Sequence, residues 1–211
     1  MAKLKQAWGV IKQNPASLLG LALAYSVLEY EFLTKPLLPY LSSSSFLSFF
    51  MAEYLKLSIW FIFLLLFLTG FLPMVLIAID GGTIKVASFK PFITANRIFN
   101  MLALIAVWSP VFIAGSILAI GGIIWSGFTI MAFFLISGDE RTGTLNAISK
   151  SISITKGYRL KIMFYLLFYS IFSFLALFTP PYLAVVIDAF VVAFLYVTLA
   201  LIYRECMNKN V

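Results

Sequence analysis

Residues 99–136 read FNMLALIAVWSPVFIAGSILAIGGIIWSGFTIMAFFLI, a run without one charged side chain. A helix crosses a hydrocarbon core with about 20 mostly apolar residues, so this run is too long for one crossing. Gly121-Gly122 divides it, and the spacing predicts a tight hairpin of two membrane helices.

Working outward, the same length rule gives expected spans at about 16–33, 57–79, 99–119, 122–137, 162–179 and 182–203. Asp80-Gly81-Gly82 stops the second. Pro180-Pro181 separates the last two, because adjacent prolines cannot continue a hydrogen-bonded helix. The chain is 63% hydrophobic and 11% charged, against about 45–50% and about 25% in soluble domains. The fold class expected is therefore all-α: a single polytopic membrane bundle over residues 1–211 with about six transmembrane helices.

Charge orients it. Lys3, Lys5, Lys12, Lys85, Lys90, Arg97, Arg141, Lys150, Lys156, Arg159, Lys161, Arg204 and Lys209 fall in four clusters that six crossings put on one side. Lys35 and Lys56 fall on the other, where Glu29, Glu31 and Glu53 outnumber them. The positive-inside rule then makes both termini cytoplasmic. The net charge of +7 reads as topology and attraction to anionic head groups, and nucleic acid is not expected as a partner. Ala22-Leu23-Ala24 imitates a signal cleavage site, but the apolar run before it is short, so a retained helix is expected.

The basic clusters carry their own pattern. Leu4, Ala7, Trp8 and Ile11 recur at helical spacing with Lys5 and Lys12 around them, and Leu145, Ile148 and Ile152 do the same beside Lys150. A weaker copy uses Val86, Phe89 and Ile93, interrupted by Pro91. Short basic amphipathic helices lying in the cytoplasmic interface are expected, each followed by an apolar hairpin, a pattern open to reading as three repeated units. The basic residues assigned to the lipid interface are Lys5, Lys12, Lys150, Lys156, Arg159 and Lys161. The long outer loop, 34–56, holds four serines, Ser42-Ser43-Ser44-Ser45, and then Phe46 to Met51, read as an extension of a tilted second helix. Ala16, Gly20 and Ala24 form a small-residue ridge on the first span, and Gly115 and Ala119 one on the third; such ridges suit a compact bundle or a dimer, with packing within the chain the leading reading.

Catalytic chemistry is sparse. There is no histidine and one cysteine, Cys206, so the commonest general base and metal ligand are missing and no zinc or haem site can be assembled from cysteines. No phosphate-loop motif occurs. Asp80-Gly81-Gly82 is read as a helix stop, and Asp139-Glu140-Arg141 as a solvated turn with Thr142 or Thr144 capping the next helix. Glu29 and Glu31 face different directions and are placed at the outer interface. No catalytic residue, cofactor or metal site is expected.

Around Gly138-Asp139-Glu140, Leu145-Asn146-Ala147-Ile148-Ser149-Lys150-Ser151 and Thr155-Lys156-Gly157-Tyr158-Arg159, the chain resembles the YciC-like membrane proteins and the membrane domain attached to some glycerophosphodiester phosphodiesterases. There an alanine, a hydrophobic residue and a serine precede a lysine-glycine pair and a new membrane helix. The resemblance implies a six-helix prokaryotic inner-membrane protein and no activity.

The function expected is non-enzymatic: a multi-pass module for assembly, envelope organisation or partner binding. A small-molecule or lipid transporter, or the substrate-binding membrane subunit of one, is the alternative. Partners would be membrane lipids and a second protein or a second copy of the chain. The one ionisable residue well inside a span is Asp188, read either as hydrogen-bonded to Ser170 or Ser173 or as lining an outward-facing pocket.

Overall fold

The computed structural model describes residues 2–31, 46–117, 121–139, 141–176 and 178–209, with the side chains of 46–57 and 112–117 outside that description. Helices account for the described fold, and no strand occurs among these residues. In order they are α1 (Ala2–Gln13), α2 (Pro15–Glu29), α3 (Phe46–Ile79), α4 (Ala95–Ile117), α5 (Gly121–Thr129), α6 (Met131–Gly138), α7 (Thr144–Ile154), α8 (Arg159–Ala176) and α9 (Pro181–Lys209), with a 3-10 helix at Val86–Phe92.

Among the described residues, four helices are long and apolar enough to cross a membrane: Ser58–Ile79 within α3, Gly121–Gly138 through α5 and α6, α8 and α9. A fifth is gained if the 3-10 helix and α4 count as one span bent by 81°. α2 is apolar but shorter, with 15 residues. α4 packs against α5 and α6 as the two arms of a hairpin would, but Gly121 and Gly122 open α5 instead of dividing the arms, and residues 118–120 between them lie outside the described ones. The second arm is broken at Ile130, although Ile130 N–H still donates to the Ser126 carbonyl at 2.9 Å, so the two pieces stay nearly continuous. The aromatic stretch from Phe46 is the start of α3, as a helix extension requires. Most of the loop at 34–56 and the small residue Ala119 lie outside the described residues, as do the side chain of Gly115 and residue Glu140.

Local chemistry sets the breaks. Pro15 occupies the first turn of α2, where its missing N–H costs nothing. Asn14 just before it accepts from the Ile84 N–H at 3.0 Å, while Ser17 Oγ donates to the Ile84 carbonyl at 2.9 Å. The α1–α2 corner is thus pinned to the loop after α3. That loop begins at Asp80, and Gly81 has φ +84°, a left-handed turn that favours glycine. Asp80 itself meets Arg204, whose Nε lies 3.0 Å from Oδ1. Pro181 opens α9 in the same way as Pro15 opens α2.

α9 is the axis of the bundle. α1, α2, α3, α6 and α8 all pack on it, and its buried residues include Ala193, Val197, Leu199, Ala200 and Ile202. α8 is the opposite case, with Leu160, Phe164, Leu167, Ile171 and Phe174 exposed. One end of the bundle gathers Lys3, Asp80, Arg204, Lys161 and Glu205 and is called the basic end below. Ser26, Glu29, Ser173 and Asp188 lie toward the other.

Packing corrects several expectations. The ridge of Ala16, Gly20 and Ala24 does not pack inside the chain: all three face outward, and Ser17, Leu18, Ala22 and Ser26 are buried instead. α1 puts its apolar residues Ala7 and Ile11 against the bundle and leaves Trp8 42% exposed, stacked on Phe194 at 5.8 Å. α7 is turned differently from its sequence stripe. Ala147, Ser151 and Ile154 are buried, whereas Leu145 is 73% exposed. Hydroxyls explain the rotation: Ser151 Oγ donates to the Phe128 carbonyl at 2.9 Å and Thr144 Oγ1 to that of Asn100 at 3.2 Å. Neither Thr142 nor Thr144 caps α7. Gly143 holds the N-cap position, and Thr142 donates to Asp139 at 3.2 Å.

Candidate functional site

Three helices bring polar side chains together inside an otherwise apolar bundle. Asp188 lies one to two turns into α9, about 10 Å from Pro181 along the helix axis. An acid at the centre of a membrane helix costs about 2.5 to 3.5 kcal/mol on insertion scales, and acids within such helices usually face partners or a cavity. Its partners come from both neighbours. Ser26 Oγ on α2, 2% exposed, donates to Asp188 Oδ2 at 2.7 Å. The Ser173 hydroxyl on α8 is a second hydrogen-bonding group.

Glu29 joins this group. It stands one turn beyond Tyr25 on α2, hydrogen-bonds the Tyr25 side chain, and is close enough to Asp188 for the two acids to interact. Together Ser26, Glu29, Tyr30, Ser173, Thr179 and Asp188 line a cavity of about 410 Å³, closed on its apolar sides by Phe174, Ala184 and Val185. Among the described residues, no Lys or Arg lines it. A volume in the range of about 300 to 1,000 Å³ with a few convergent polar groups is the usual form of a small-molecule site.

The residues picked from sequence divide here. Asp188 and Ser173 are in the site. Ser170 is exposed and donates to its own helix at the Leu166 carbonyl, 2.8 Å away. Ser26 and Glu29 were missed as site members, although Ser26, Glu29 and Tyr30 recur at i, i+3, i+4 spacing and so mark a polar edge on α2. Glu31, two residues on, is exposed and not part of the lining.

A second cavity, about 780 Å³, lies among α3, α4, α6 and α9 and is lined by Trp60, Phe61, Leu64, Ile105, Trp108, Phe133 and Tyr196. Trp108 Nε1 donates to Thr129 Oγ1 at 3.1 Å. Tyr196 packs edge-on to Phe67 and Phe71, and Tyr25 stacks on Phe67 at 4.5 Å. This aromatic cluster stands directly beside the acid pair.

The basic end is built from ion pairs. Glu205 lies about 36 Å along α9 from Pro181, beyond a hydrocarbon core of about 30 Å. It pairs with Lys3 of α1 and with Lys161 Nζ of α8 at 2.9 Å. Partial burial opposes ionisation, but the two ammoniums outweigh it and hold the carboxyl below its ordinary value. Of the cations assigned to lipid, Lys5, Lys12, Lys150 and Lys156 are exposed, with Lys12 over the Trp8 ring at 5.3 Å. Arg159 is tied inward: it donates to the Ile152 carbonyl at 2.9 Å and covers the Phe128 ring at 4.0 Å. Cys206 is buried, and among the described residues no group of three or more Cys, Asp or Glu is placed to hold a metal.

No protein-family model matches this chain, and neither a curated protein nor a solved structure matches it.

Proposed function

We propose that this chain is a non-enzymatic, six-span membrane protein with both ends in the cytoplasm, and that it binds a small molecule with a cationic or donor-rich head in the cavity among α2, α8 and α9. The observation that carries this reading is the pairing of Asp188 and Glu29 in one cavity that no described Lys or Arg lines. Two acids in that setting favour a positively charged group, and the Phe174, Ala184 and Val185 wall suits an apolar body. This supports the binding half of a transporter or of its substrate-binding subunit.

Six spans follow if α2, α4 and the four longer elements all cross. The thirteen-to-two division of Lys and Arg supports that topology. The order of one short helix and two apolar arms, met three times along the chain, supports a repeated hairpin unit. Single cysteines at Ser43 and Ser149, the latter exposed on α7, in a Cys206→Ser background, should label from opposite sides; labelling from one side would refute the topology.

The binding reading is tested by purifying the chain with native lipids and identifying retained small molecules by native mass spectrometry. Asp188→Asn keeps size and hydrogen bonding but removes the charge, so it should release the molecule from a folded protein. A wild-type chain that retains nothing, or an Asn variant that retains the same molecule, ends this reading.

The assembly role is the second reading, and the outward Ala16, Gly20 and Ala24 ridge favours it, since a small-residue face lets another helix approach closely in lipid.

A further inference from the structure

At the basic end, α8 starts in an unusual electrostatic setting. Its first turn has no acidic residue and carries Arg159 and Lys161, although a helix N-terminus bears about half a positive charge and favours anions. Lys156 is exposed just before it, in the turn closed by Gly157 at φ +91°. The C-terminal Lys of α9 comes to the same place. Lys209 Nζ lies 5.6 Å and Lys161 Nζ 5.7 Å from the centre of the same ring, Tyr158.

Among the described residues, this cluster is under-neutralised. Lys3 and Lys161 share the single carboxylate of Glu205, and Lys209 adds a third ammonium with no acid of its own. Two positive charges remain in excess, next to a helix N-terminus and an aromatic ring. Arg159 does not contribute, because it is bound to the Ile152 carbonyl and the Phe128 ring. The neighbouring surface is apolar: Leu160 is 82% exposed, and Phe164, one turn further along α8, is 63% exposed. Phe164 stacks with Phe168 at 6.4 Å, and Phe168 lies 4.8 Å from Phe172, so the apolar track continues along the helix.

We propose that Lys161, Lys209 and Tyr158 form a site for the phosphate of an anionic phospholipid, with its acyl chain laid along Leu160 and Phe164. The charge excess selects the phosphate. The apolar track selects a lipid over a soluble phosphate, since only a lipid supplies a chain for it. The site is independent of the Asp188 cavity at the other end of the bundle.

The full chain is reconstituted in nanodiscs of phosphatidylcholine containing phosphatidylglycerol, and retained lipids are read by native mass spectrometry after mild delipidation. Wild type should keep phosphatidylglycerol over phosphatidylcholine. Lys209→Gln should weaken that retention roughly fivefold, and Lys161→Gln with Lys209→Gln further, while Lys85→Gln, exposed in the loop after α3, leaves it unchanged. Lys209 is exposed at the end of α9, so its single variant keeps the test valid if the double variant misfolds. Equal loss with Lys85→Gln would mean diffuse attraction and no site. Displacement of the lipid by inorganic phosphate would mean a soluble ligand and would overturn the lipid assignment, as would undiminished retention in Lys209→Gln.

Discussion

α9 is held at both ends by acids, and the two ends use opposite chemistry. Toward its start, Asp188 meets hydroxyls from α2 and α8. Toward its finish, Glu205 meets lysines from α1 and α8. The first arrangement suits a place without water, where a hydroxyl can satisfy an acid but a second full charge would itself need compensation. The second suits the head-group zone, where exposed ion pairs are weak, generally under about 1 kcal/mol, and fall with salt. The same helix therefore carries a deep polar contact available to a ligand and a shallow one available to the membrane surface.

The strongest way to break this contrast is Asp188→Leu. It leaves the Ser26 and Ser173 hydroxyls without their acid and should destabilise the bundle by about 1 to 3 kcal/mol, an effect that unfolding in detergent at low and high salt should find unchanged. A loss that disappears at high salt would mean that Asp188 is solvated like Glu205. Ser26→Ala is the milder probe. It removes one donor to Asp188 and should cost about 1 kcal/mol, and it should also weaken retention of the small molecule; a fully stable variant with intact retention would show that the Ser26 bond contributes nothing.

Glu205→Gln should cost less, under about 1 kcal/mol, because the pair is partly exposed, and the difference from wild type should vanish in high salt. Its pH dependence has a definite sign. The folded carboxyl titrates below its unfolded value of about 4.3, so its contribution is complete above that value and is lost as pH falls through the folded one. A wild-type advantage that grows on acidification would contradict the pairing. The smallest effect is expected at Gly20→Ile. Nothing lies within 4 Å of a Cβ built there, so monomer stability should barely change; a shift from dimer to monomer on light scattering would support the assembly reading, and an unchanged oligomeric state would remove it.

Legibility differed along the same lines. The apolar arms could be read because a span needs only about 20 suitable residues in a row, whatever it packs against. The stop at Asp80-Gly81 and the turn before Pro181 were legible for an equally local reason, backbone geometry. The site was legible only in part. Asp188 stood out as an acid in a greasy helix, and Ser173 was within reach on the preceding arm. Ser26, however, is 162 positions away in sequence, and Glu29 looked like an interfacial residue because it stands at a helix end.

What the sequence determined by itself is that the chain is built of apolar helical arms and how unevenly the basic residues are distributed among the segments between them, since both depend on composition along one dimension. What only the tertiary structure decided is how each helix is turned about its axis. That turn placed Ser26 and Glu29 of α2 inward and Ala16, Gly20 and Ala24 outward. It also set α7 on its hydroxyl face, with Leu145 left outside. Rotation is fixed by the helices packed alongside, and in lipid a hydroxyl that finds a carbonyl or an acid orients a helix as firmly as an apolar stripe, because both faces are already in an apolar solvent.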